Sequence, residues 1–149
     1  MTQPGIIDTF LEKPYHLIDV LPKQVPADSS GRYFEVEKYF LSELGSISRQ
    51  FADILIKLNC YADITVSTDG ESWIDDFSPE DLINLFEDST ATHSPLYILV
   101  SSAQSLITFS GEDHYMTIYD ADEELNDLLS SLASREGLFY TTGNFQGSR

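Results

Sequence analysis

LYILVS at 96–101, LITFS at 106–110 and YMTIY at 115–119 are the three runs on which the fold turns. Each is short, rich in β-branched and aromatic residues, and bounded by polar or glycine-containing breaks, which is strand composition. The brief Gly111-Glu112-Asp113 connection supports a three-stranded meander over about 96–119.

Working outward, Asp122 to Ser134 carries Leu125, Leu128, Leu129 and Leu132 at helical spacing, with Arg135 in the last turn and Gly137 just beyond as stop signals. Leu138 to Thr141 reads as a final strand. Upstream, Ser78-Pro79-Glu80-Asp81 opens a helix with Ser as N-cap, Pro at the first position and acids in the first turn; its core face is Leu82, Leu85 and Phe86. Asp63 to Ile74 reads as a hairpin, with Ile64 and Val66 facing Trp73 and Ile74 across Thr68-Asp69-Gly70. Phe40, Leu44, Ile47, Phe51, Ile54, Leu55 and Leu58 form the strongest amphipathic stripe, too short for a sustained coiled coil and so read as core packing. Gly45-Ser46 divides that stripe, with Ser46 or Ser48 capping the second part, and Arg49–Asp53 and Asp53–Lys57 support its exposed side. Between Pro14 and Pro22, His16 to Leu21 is expected as an edge strand, and 26–31 as a loop.

These pieces assemble as an α+β fold: one domain over 1–142, an antiparallel sheet (meander about 96–119 plus hairpin about 63–74) and amphipathic helices packed on one face. The tail, 143–149, has no pattern and is read as disordered or as the remnant of a cleavable fusion.

A chain of 149 residues with 42% apolar content suits one packed domain. Cys60 is the single cysteine, which rules out an internal disulfide framework. Asp8 and Glu12 stand where a secretory signal needs a basic start, and the apolar run 96–100 is too short to span a bilayer. The expected setting is the cytoplasm.

Charge is the other decisive property. From Lys57 to Arg135 there is no intervening Lys or Arg but sixteen Asp and Glu, within a chain of net charge −17. That block repels nucleic acid and anionic membrane and attracts cationic surfaces, so neither nucleic acid nor membrane is an expected partner.

Catalytic and metal chemistry find weaker footing. Asp120 and Asp122, with Glu123, Glu124 and Asp127 nearby, resemble a carboxylate metal set, but helix capping accounts for the same residue types. A calcium loop over 65–76 lacks acids at its first two ligand positions. Cys60 closes an apolar stripe in an acidic field, where a buried and inert thiol is the ordinary outcome, and His16, His93 and His114 are the available partners for it. His114, beside Asp113, reads as a solvated turn residue. Neither a cofactor nor an enzyme is expected, and nothing in the sequence sets an oligomeric state.

Glu87 and Asp88 sit late in the Ser78 helix, where anions oppose the helix dipole. Glu71, Asp75 and Asp76 flank Trp73 in the chain, the pattern of an aromatic anchor with a charged rim, and Glu87, Asp88, Glu112 and Asp113 are expected to join them on one partner-binding face; core burial is the plainer reading of that Trp. The leading expectation is an acidic interaction module, of the immunity or inhibitor type, that blocks a basic protein such as a nuclease toxin through a carboxylate-rich face. The alternative is a non-enzymatic scaffold or interaction domain with an apolar binding surface.

Overall fold

The computed structural model describes residues 6–19, 44–101, 104–110 and 115–142. Its elements in chain order are α1 (Ile6–Phe10), β1 (Tyr15–Asp19), α2 (Leu44–Leu58), β2 (Ile64–Ser67), α3 (Pro79–Thr92), β3 (Pro95–Val100), β4 (Ser105–Ser110), β5 (Tyr115–Tyr119), α4 (Glu123–Arg135) and β6 (Phe139–Thr142). The meander forms as the sequence dictates: Ile98 pairs with Ile107, and Ile107 with Ile118, in antiparallel register. Six strands make one sheet in the order β2-β3-β4-β5-β1-β6, and every neighbouring pair is antiparallel.

Alternation sorts the two faces. Val66, Leu96, Ile98, Val100, Ile107, Phe109, Met116, Ile118 and Ile18 project to one face and are buried. Phe51, Ala52, Ile54, Leu55 and Leu58 of α2, Leu82 and Phe86 of α3, and Leu125, Leu129 and Ala133 of α4 cover them. Phe109 sits at the meeting point, its ring 5.4 Å from Phe51 and 4.7 Å from Phe86, both tilted. The opposite face carries Tyr97, Leu99, Leu106, Thr108, Thr117 and Leu17; Leu106, Thr117 and Leu17 are buried there.

Both later helices start where their caps predict. Ser78 accepts from the Asp81 N–H at 3.1 Å while Asp81 accepts from the Ser78 N–H at 2.9 Å, a reciprocal capping box behind Pro79. Asp122 caps α4 by accepting from the Leu125 N–H at 2.8 Å. Asp120 turns the chain into that cap with φ 60°, its N–H donating to the Pro14 carbonyl at 2.8 Å. Asp122 is thus committed through its carboxylate to the cap that the sequence favours over metal, and among the described residues no three His, Cys, Asp or Glu side chains gather into a metal-binding group.

Several expectations are corrected. The 16–21 segment is not an edge strand: β1 lies between β5 and β6, so β5 and β6 run parallel to each other around it, linked by α4. Pro14 precedes the strand, but within 15–19 every residue has its N–H, so both edges can pair. The return limb of the 63–74 hairpin shrinks to one bridge, Val66 with Ile74, as the Ser67 and Asp69 side chains bind the backbone of 70–72 and turn the chain away after the four-residue β2. Ser46 and Ser48 lie inside α2 rather than capping it. Ser48 is buried and shares a 2.9 Å hydrogen bond with Thr90, tying α2 to α3. Arg49 meets Asp53 at 3.3 Å, whereas Lys57 turns to Glu136 at 2.8 Å and joins α2 to the end of α4. Cys60 is exposed, since α2 ends at Leu58 and the thiol falls in the turn beyond. Phe40, the 26–31 loop, His114 and the 143–149 tail lie outside the described residues.

Two measurable consequences follow from this frame. Gly70 has φ +81°, and a Cβ there would lie 2.6 Å from Ile7 Cδ1, the movable end of a side chain. Gly70→Ala therefore costs about 1–2 kcal/mol, mainly backbone strain. Urea titration checks it, and an unchanged midpoint contradicts it.

His16 stacks on Tyr140 with centroids 5.1 Å apart and planes 7° apart, and burial lowers its pKa. The Tyr140 hydroxyl donates to Asn126 Oδ1 of α4. Because the folded state holds His16 neutral below its ordinary value of about 6.5, the unfolded chain binds that proton more readily. The contribution is complete above that pH and is lost as pH falls through the folded value. Between about pH 7 and pH 5.5, wild type should lose stability more steeply than His16→Phe, which keeps the stack without the titration. Parallel curves would count against it.

Candidate functional site

The loop after β2 is built to redirect the chain. Ser67 Oγ accepts from the Gly70 N–H at 2.7 Å and donates to Asp69 Oδ1 at 3.0 Å. The same Asp69 oxygen accepts from the N–H groups of Glu71 and Ser72, each at 2.8 Å. Those backbone donors, with Ser67, hold the Asp69 carboxyl below the usual carboxylate range. The bridge then fixes Ile74 beside Val66 through hydrogen bonds of 2.8 and 2.9 Å, and Ser78 starts α3 four residues later. The 74–77 segment is in this way laid along α3.

Between them lies a groove of about 270 Å³. Ile74, Phe77 and Leu85 supply its apolar lining; Ile74 is 45% exposed, while Phe77 and Leu85 also pack partly against the core. Asp76, Asp81, Asn84 and Asp88 supply the polar lining, and no Lys or Arg among the described residues contributes. Asp81 and Asp88 are seven residues apart on α3, two turns along one face and about 10 Å along the axis. One Asp81 oxygen is engaged in the capping box.

The expected partner-binding residues divide three ways. Asp76 and Asp88 come together in this groove. Glu71, Asp75 and Glu87 are exposed but do not line it, and Trp73 is half-buried outside it. Glu112 and Asp113 lie outside the described residues. Glu87 and Asp88 do not end α3, which runs one further turn to Thr92 and stops at His93 with φ 55°. The dipole effect is confined to the terminal turn, so the penalty expected for these two acids does not apply.

Sequence reasoning missed Ile74, Phe77, Asp81, Asn84 and Leu85 as groove residues. Leu85 was assigned to the core by its period, yet it is only half-buried where α3 turns from core to rim. The available signal was the seven-residue interval between Asp81 and Asp88 with Leu85 inside it. No family model, no curated protein and no solved structure matches the chain. No helix among the described residues is long and apolar enough to cross a membrane.

Proposed function

We propose that this chain is an acidic protein-interaction module acting in the cytoplasm, which blocks a basic protein, such as a nuclease toxin, in the manner of an immunity protein. The observation that supports the reading is the groove: an apolar lining with Asp76, Asp81 and Asp88 around it and, among the described residues, no cation in it. A charge block of −15 over residues 61–149 (seventeen acids, two bases) supplies long-range attraction, and the lining supplies short-range contact. Carboxylates there offer a cationic active site the charge pattern of phosphates, while the same potential disfavours nucleic acid itself.

The alternative, a scaffold with an apolar binding surface, draws on the 45% exposure of Ile74 beside Phe77 and Leu85. Salt separates the two. The full chain, immobilised, is exposed to source lysate at about 50 and about 500 mM salt, where screening lengths differ about threefold. The proposal expects a basic protein, identified by mass spectrometry, that is retained at low salt, released at high salt and inhibited by the chain. A partner held equally at both salts favours the scaffold reading.

A further inference from the structure

The groove also has a size and a chemical asymmetry that narrow its occupant. At about 270 Å³ it lies at the lower edge of the usual range for small-molecule sites, about 300–1,000 Å³. A single side chain fits that scale better than a free metabolite or a whole helix. Its lining joins three apolar residues to three carboxylates, so the complementary side chain is a long aliphatic stem ending in a cation. Phe77 offers a ring, which attracts a flat, weakly hydrated guanidinium more than a compact ammonium. Asp76 and Asp88, whose carboxylates take no hydrogen bond from another described residue, can accept several N–H donors at once, which a guanidinium supplies and an ammonium matches less well.

We infer that the groove seats one arginine side chain presented by the basic partner, its methylenes on Ile74, Phe77 and Leu85 and its guanidinium on Asp76 and Asp88. This rests on the basic-partner reading above. Asp81, half-committed to its cap, adds field rather than a second hydrogen-bonding oxygen pair.

The test titrates the full chain, labelled at Ile and Leu methyls, with a blocked Gly-Gly-Arg-Gly-Gly peptide and with its lysine and norleucine counterparts. The arginine peptide should move the Ile74 and Leu85 methyl signals saturably and bind about tenfold more tightly than lysine, with Asp88→Asn losing about tenfold, the scale of one charge-assisted hydrogen bond. Leu85→Lys places the chain's own cation in the groove and should abolish the Ile74 response. Should that variant unfold, Asp76→Asn, at an exposed position, serves in its place with the same expected loss as Asp88→Asn. Equal binding of arginine and lysine, norleucine binding as tightly as arginine, or shifts spread over the acidic surface without saturation at Ile74 and Leu85 would overturn the assignment. Salt-sensitive capture of a basic partner alongside a failed arginine titration would discard the seat and leave the proposed function standing. A saturable arginine titration with no basic partner captured would keep the groove's selectivity for arginine but discard the proposed function, and with it the partner held to present that side chain.

Discussion

Phe109→Ala should lower the unfolding free energy by about 3–5 kcal/mol, a large share of the roughly 5–15 kcal/mol that separates folded from unfolded states in such domains. Phe109 is 3% exposed and is the sheet residue that both α2 and α3 touch with an aromatic ring. Each tilted pair adds about 0.5–1.5 kcal/mol beyond the apolar area it buries. The cavity left by truncation has little means to close. β4 is hydrogen-bonded to β3 on one side and β5 on the other, so its backbone cannot move toward the helices without breaking both ladders. With a urea slope of about 2 kcal/mol per molar, the midpoint falls by roughly 2 M. Phe139→Ala is the internal comparison: that ring is 43% exposed on edge strand β6, and its loss should move the midpoint much less. Equal shifts for the two would mean that the ring cluster of Phe51, Phe86 and Phe109 is not the centre of the core.

What was legible in the sequence was local. The N-cap at Ser78, a cap from Asp120 or Asp122 and the strand composition of 96–101 depend on neighbours within a few residues; Ser78 and Asp122 are the caps, and β3 covers Pro95–Val100. What failed was pairing over distance. Leu17 faces Thr117 on one side and Thr141 on the other, partners a hundred or more residues away, and nothing in 15–19 specifies either. Ser48 shows the same limit: as a serine near a glycine it looked like a cap, and only packing of α2 on α3 reveals its bond to Thr90. The candidate site divides along this line. Its charge was visible from the chain, but which carboxylates meet depends on one bridge, Val66 with Ile74, that lays the 74–77 segment against α3.

The second large effect concerns that charge. At net −17, the isolated chain should melt about 3–6 °C higher at roughly 200 mM salt than at 20 mM, since about 1–2 kcal/mol of self-repulsion is screened. Asp81 and Asp88, about 10 Å apart, repel by about 0.4 kcal/mol in unscreened water, and a Debye length of about 10 Å at 0.1 M cuts that sharply. The ion pairs that described residues form with one another, Arg49–Asp53 and Lys57–Glu136, are at least partly exposed and lose little on screening. Asp76→Asn with Asp88→Asn reproduces part of the salt effect chemically, because neither side chain holds a structural hydrogen bond as Asp81 does. The double variant should therefore be more stable than wild type at 20 mM salt, with the difference shrinking at 200 mM, and should bind the basic partner more weakly. Stability gained and binding lost at the same two residues is the signature of charge retained for a partner. A surface kept only for solubility predicts the gain in stability without the loss in binding, and a double variant less stable than wild type at low salt would refute the repulsion on which both readings depend.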